Sequence, residues 1–128
     1  MRELRKVLYV EDDDDIRMLA QLALESVGGM HVLACSTGMD AIAKGPAFEP
    51  DLILLDAMMA GMDGPETLTG LRALPALAHV PAMFMTAKVQ PAEVAALRAT
   101  GAIDVIAKPF DPMTLASVIR SSWQAYYA

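Results

Sequence analysis

Five short apolar runs alternate along the chain with stretches of helical spacing, and four of the five stop at residues that carry chemistry. Val7-Leu8-Tyr9-Val10 ends at Glu11-Asp12, Leu52-Ile53-Leu54-Leu55 at Asp56, Ala82-Met83-Phe84-Met85 at Thr86, and Ile103 to Ala107 at Lys108-Pro109. The other run is His31-Val32-Leu33-Ala34. Runs this short and this apolar suit strands buried on both faces. Strict strand–helix alternation implies an α/β fold with a parallel sheet, right-handed crossovers and helices on both faces. In such a doubly wound sheet the carboxyl ends of the strands share one edge, and sites form there, where the strand order reverses. An acid pair, a lone acid, a hydroxyl and an ammonium then face one another. With the first and third strands flanking the reversal, Glu11, Asp12 and Asp56 converge.

The helices are punctuated by ordinary signals. Ile16, Leu19, Ala20, Ala23, Leu24 and Val27 fall at helical spacing, and Gly28-Gly29 stops that helix. Thr37 with Asp40 resembles a capping arrangement for a short helix through Ala43, ended by Gly45-Pro46. Pro65 suits a first helical position, and its helix runs to about Leu74. Pro91 opens a helix through Ala99, closed by Gly101. Asp111-Pro112 reads as N-cap and first turn of the last helix, Met113 to about Tyr126.

A chain of 128 residues makes one domain, with no linker or low-complexity tract in view. Charged residues break every apolar run short of membrane-spanning length, and Met1 to Lys6 lead into no apolar signal core, so a cytoplasmic location is expected. Cys35 is the only cysteine, which rules out an internal disulfide and a Cys-rich metal site and fits a small buried residue. The ten methionines, scattered rather than striped, are expected to be mostly core fillers. Net charge is −6, which argues against direct nucleic-acid binding and for a cation ligand or a basic partner surface.

Carboxylates held close together repel, raising one another's pKa and opposing the fold. A divalent cation removes the conflict, and oxygen ligands that fill only part of the shell suit Mg²⁺. A Mg²⁺ site is expected at Glu11, Asp12 and Asp56. A carboxylate beside Mg²⁺ and a lysine is placed to attack phosphorus, as aspartyl-phosphate chemistry requires. Lys108 would neutralise charge on the transferred group and the Thr86 hydroxyl would donate to one of its oxygens. Asp56 is the better nucleophile because it stands alone, whereas Glu11 and Asp12 are paired, as ligands would be.

At these positions the chain resembles the receiver domain of bacterial two-component response regulators. The matching motifs are Val7 to Asp13 (VLYVEDD), Pro50 to Asp56 (PDLILLD), Gly61-Met62-Asp63-Gly64, Met85-Thr86-Ala87-Lys88 and Lys108-Pro109-Phe110, spread over essentially the whole chain. The resemblance implies a flavodoxin-like sheet of order 2-1-3-4-5. It implies a stand-alone receiver over residues 1–128, without an output domain. Asp56 would be the phosphoacceptor, in a switch or a phosphorelay intermediate. Asp12 and Asp56 would hold Mg²⁺ directly, Glu11 through water, and the Met58 carbonyl would add a further ligand. Thr86 would report the phosphoryl group, Lys108 would pair with it, and the Lys108–Pro109 bond is often cis in the family. The implied partners are a sensor histidine kinase or histidine phosphotransfer protein and a downstream protein, met through the fourth helix, fifth strand and fifth helix, with no nucleic acid and no membrane insertion. Such a protein is a switch rather than an enzyme, with at most self-phosphorylation from small donors and autodephosphorylation. Two readings compete: an interaction module that never takes phosphate, and an aspartyl-phosphate phosphatase. The second is disfavoured by Met58, where hydrolases of the haloacid dehalogenase type carry a second Asp.

The chain departs from the family pattern at Ala60, where Pro is common, at Val105, usually a Tyr or Phe that turns with the threonine, and mildly at Glu11, more often Asp. Asp14 and Asp15 read as charges favouring a helix N-terminus, and Asp13 suits either role. His31 and His79 are expected to be structural or exposed, and Lys88 exposed beside the site. Of Trp123, Tyr126 and Tyr127, part should pack inward, and an exposed remainder would mark a partner surface.

Overall fold

The computed structural model describes residues 2–128. Five strands, β1 (Lys6–Val10), β2 (His31–Cys35), β3 (Leu52–Asp56), β4 (Ala82–Thr86) and β5 (Asp104–Ala107), form one parallel sheet in the order β2-β1-β3-β4-β5. The helices between them are α1 (Asp14–Leu22), α2 (Gly38–Phe48), α3 (Gly64–Arg72), α4 (Pro91–Ala99) and α5 (Leu115–Tyr127). The expected doubly wound architecture and strand order are those observed.

Strand alternation splits the core in two. Val7, Tyr9, Leu52, Leu54, Met83, Met85 and Ile106 face Ala20, Leu24 and the α5 residues Leu115, Ile119 and Trp123. Leu8, Val10, Ile53, Leu55 and Phe84 face Ala41 of α2 and Leu68 and Leu71 of α3. Every residue of β3 and β4 is buried, which is why those segments read as unbroken apolar runs. Glu11, Asp56 and Lys108 continue the parity of Tyr9, Leu54 and Ile106, so their side chains rise on the α1–α5 side of the sheet.

The caps set where each helix starts. Asp13 accepts from Ile16 N and begins α1, Thr37 accepts from Asp40 N and begins α2, and Asp63 with Glu66 forms a reciprocal capping box for α3. That box pins α3 against the end of β3. A Cβ on Gly64 would come within 2.5 Å of the Asp56 carbonyl oxygen and 2.9 Å of both Ala57 Cα and the Phe84 ring, so only glycine allows this approach.

Several boundaries differ from the sequence reading. The first helix changes to π-helical winding over Ala23–Val27, and Leu19 and Val27 are exposed although both fit the apolar spacing. The extra residue in that turn rotates the stripe, and Gly28 N closes the helix on Ala23 O at 3.1 Å. Helix α2 does not stop at Gly45-Pro46 but runs to Phe48, with Pro46 inside it and Glu49 left-handed at its end. Gly45 lies against Leu8 and Leu77, so packing holds the turn despite the lost N–H. Helix α3 ends at Arg72, with a short 3₁₀ turn over Pro75–Leu77. Asp111 makes a turn by accepting from Met113 N, and α5 starts only at Leu115.

Methionine is the clearest compositional correction. Met30, Met83 and Met85 are buried and Met59 packs against the core, while Met18, Met39, Met58 and Met113 stand exposed, so the described methionines divide between core and surface rather than mostly filling the core. Cys35 is buried, as expected. His31 is exposed and meets Phe48 edge-on at 5.3 Å, and His79 is exposed. Trp123 is buried, donating to Asp51 O at 3.0 Å, while Tyr126 and Tyr127 keep outward surface. The Lys108–Pro109 peptide is cis. Among the described residues no helix is long and apolar enough to cross a membrane.

Candidate functional site

The carboxyl ends of β1, β3, β4 and β5 bring Glu11, Asp12, Asp56, Thr86 and Lys108 to one edge of the sheet. Glu11 directly follows β1, its N–H tied to Cys35 O of β2 at 3.1 Å. Asp56 is the last residue of β3, and Ala57 N donates to Met85 O of β4 at 2.9 Å. Lys108 follows β5 with its N–H on Thr86 O at 2.8 Å. Glu11, Asp56 and Lys108 are therefore held by backbone bonds to a neighbouring strand rather than by their own loops.

One carboxylate oxygen from each of Glu11, Asp12 and Asp56 lies within 4.8 Å of the others. Glu11 and Asp56 are buried and Asp12 is exposed, so the group forms a cup open on the Asp12 side. The Lys108 ammonium reaches across it, donating to Glu11 Oε1 at 2.7 Å and Asp56 Oδ1 at 2.9 Å. Asp12 Oδ2 accepts the Ala60 N–H at 3.0 Å, which folds the loop after β3 over the cup.

One ammonium against three acids leaves the cup negative. Burial first, and the Asp56 charge after it, push the Glu11 carboxyl up to about 7, although Lys108 and the Asp13 N–H pull the other way. For Lys108, burial alone would lower the pKa, but Glu11 and Asp56 together outweigh it and hold the ammonium above its ordinary value. All-oxygen carboxylate donors gathered on one open side suit a hard divalent cation, so the residues fit the expected Mg²⁺.

Thr86 is buried, and its hydroxyl oxygen accepts the Lys88 N–H at 3.0 Å. Lys88 itself is exposed. Met58 is exposed on the loop beyond Asp56 and, with Thr86, Lys88 and Leu97, lines a cavity of about 210 Å³ beside the cup. Val105 is half-buried on β5.

Sequence reasoning did not single out Arg17 or assign Asp13. Arg17 Nη1 donates to Glu11 O at 2.9 Å while Nη2 pairs with Asp14 at 2.6 Å, fixing the backbone of the first acid. A cation near a helix N-terminus opposes the helix dipole, and that mismatch was the available cue. Asp13 caps α1 and sends its N–H to Glu11 Oε2 at 3.2 Å, so it serves helix and site together. Asp14 and Asp15 lie in the first turn of α1, as expected.

A family model described as the response regulator receiver domain matches residues 7–120. The transcriptional regulatory protein CseB of Streptomyces avermitilis is 37% identical over 121 residues, 94% of this chain and 50% of that protein. The DNA-binding response regulator MtrA of Mycobacterium leprae is 32% identical over 117 residues, 91% of this chain and 50% of that protein. The chain spans about half the length of the curated relatives it matches. Among solved structures, Vibrio cholerae chemotaxis protein CheY4 superposes with a TM-score of 0.85 at 28% identity, covering 94% of this chain and 99% of that one. A response regulator from Desulfuromonas acetoxidans gives 0.83 at 25% identity, covering 96% and 99%. These relatives correct the expected partner set, which paired kinase and protein targets with an exclusion of nucleic acid. Transcriptional regulators, among them proteins named as DNA-binding, are similar to this chain throughout. The −6 charge is that of these 128 residues and has no bearing on what the other half of such a relative binds.

Proposed function

The chain belongs to the response regulator receiver-domain family of bacterial two-component systems, and on that premise we propose that Asp56 accepts a phosphoryl group and that the resulting aspartyl phosphate switches the domain. The observation that carries this reading is Asp56 Oδ1 held 2.9 Å from the Lys108 ammonium inside an acidic trio.

In the reaction an Asp56 carboxylate oxygen forms the new bond to phosphorus as the donor's phosphorus–leaving-group bond breaks, and the leaving group departs with its electron pair. Lys108 offsets negative charge on the phosphoryl oxygens, and Thr86 turns its hydroxyl proton toward one of them. The Thr86 hydroxyl is bonded to Lys88 N, so its movement draws the loop between β4 and α4 with it. Mg²⁺ would be held by Asp12, Asp56 and, through water, Glu11, with the Met58 carbonyl as a further oxygen. When bound it would offset the carboxylate charge and the charge on the phosphoryl oxygens. Met58, two residues past Asp56, has no proton to give a leaving group, which fits a held phosphoryl rather than phosphatase turnover.

Incubation with acetyl phosphate and Mg²⁺, read by intact mass, tests the proposal. Wild type should gain one phosphoryl group, and Asp56→Asn or chelation should abolish the gain. Equal labelling of wild type and Asp56→Asn would refute the assignment. No labelling together with no response to Mg²⁺ would favour an interaction module that takes no phosphate.

A further inference from the structure

Tyr9 is wholly buried on β1, between Ala34 of β2 and Leu54 of β3. Among the described residues its hydroxyl is the one buried side-chain polar atom without a hydrogen-bond partner. An unpartnered buried hydroxyl costs stability, and Phe would fill the same space without that cost. The hydroxyl is therefore a donor still free for a second state of the site in which it is bonded.

The neighbours of Tyr9 indicate which state. Glu11 lies two residues beyond Tyr9, just past the end of β1 and in the same parity, and Asp56 lies two beyond Tyr9's partner Leu54, also on that face. Burial, then the Glu11 and Asp56 charges, push the phenol pKa up, so it remains a protonated donor within the field of both acids. In the structure Glu11 does not need that donor, because Lys108 Nζ serves Oε1 at 2.7 Å and Asp13 N serves Oε2 at 3.2 Å. A phosphoryl group on Asp56 changes the balance. It brings close to two negative charges to the far side of the same ammonium and draws Lys108 away from Glu11. Glu11, which would also face a Mg²⁺-bound water, then keeps only the Asp13 N–H of the two donors it has in this structure.

We propose that Tyr9 is a positioning residue for the switch: its hydroxyl donates to the Glu11 carboxylate when Lys108 turns from Glu11 toward the group carried on Asp56. This rests on phosphoryl acceptance at Asp56, and it adds a donor that is silent in the unmodified protein and engaged in the modified one.

Tyr9→Phe removes only the hydroxyl. Two measurements on wild type and variant test the role: thermal denaturation of the unmodified protein, and calorimetric titration with beryllofluoride in the presence of Mg²⁺. The variant should melt at the same or a higher temperature, because no hydrogen bond is lost, and should bind beryllofluoride about ten-fold more weakly. Wild type with beryllofluoride should also show a slowly exchanging tyrosine hydroxyl proton by NMR that the variant lacks. Unchanged beryllofluoride affinity would overturn the role of Tyr9 and leave phosphoryl acceptance standing. Equal destabilisation of the unmodified and beryllofluoride-bound variant would mark a purely structural residue and also overturn it. Failure of wild type to take up beryllofluoride or phosphoryl would remove the reading of Asp56, and this proposal with it.

Discussion

The Lys108 ammonium lies 2.7 Å from Glu11 Oε1, so one side chain joins the ends of β5 and β1 across the two strands that separate them in the sheet. With its second bond to Asp56, Lys108 supplies the counter-charge that lets two buried carboxylates share one edge. Several consequences of that arrangement can be measured.

Lys108→Met should lower stability by about 2 kcal/mol at pH 8, because two buried acids are left facing each other. The loss should shrink at pH 5.5, where Glu11 is protonated, and in millimolar Mg²⁺, which would replace the missing charge. Urea unfolding at the two pH values, with and without Mg²⁺, checks all three parts. A loss independent of both pH and Mg²⁺ would show that packing, not charge, is what Lys108 contributes.

Glu11 has a folded-state pKa of about 7 against an ordinary 4.5. Between those values the folded protein binds more protons than the unfolded chain, so this residue's contribution to stability falls as pH rises through the window. Glu11→Gln should flatten the profile and raise stability above pH 7. For the same reason Mg²⁺ binding at the cup should release a proton below pH 7, and apparent affinity should climb from pH 5.5 to 7.5 and then level. Calorimetry in buffers of different ionisation enthalpy reads the proton directly. Affinity that falls with pH would contradict the assignment.

Met58 is 58% exposed two residues after Asp56, and an apolar side chain there would hinder water approaching an aspartyl phosphate. Met58→Asn should shorten the phosphoryl lifetime several-fold. It should leave stability within about 0.5 kcal/mol, the usual range for an exposed site. Decay followed by intact mass after removal of acetyl phosphate, beside urea unfolding of both proteins, separates the two effects. An unchanged lifetime would dismiss the shielding role without touching Asp56.

Helix α4 has no buried residue and is fastened at its end through Asp104. That carboxylate accepts from Arg98 of α4 at 2.9 Å and from Ser122 of α5. Asp104→Asn should speed amide hydrogen exchange in α4 while α2 and α3, which pack into the core, stay protected. Uniform acceleration across all helices would point instead to general destabilisation.

Much of the site was legible because each functional residue follows an apolar run. The end of a run is a local signal, and parallel alternation carries four such ends to one edge. Local signals failed where packing overrode them. Pro46 stays inside α2 because Gly45 beds against Leu8 and Leu77. Val27 fits a helical stripe yet faces water because the chain winds as a π-helix there. The exposure of Met39 and Met113 has no pattern in the sequence to announce it.

The sequence by itself determined the alternation, the parallel sheet and the identity of the residues at its carboxyl edge, since each depends on periodicity over a few residues. Only the tertiary structure decided that Lys108 bridges Glu11 and Asp56, that Asp13 serves both a helix and an acid, and that the Tyr9 hydroxyl is buried without a partner. Those relationships join positions up to 97 residues apart, and hydrogen bonding and desolvation depend on distances that exist only once the strands are side by side.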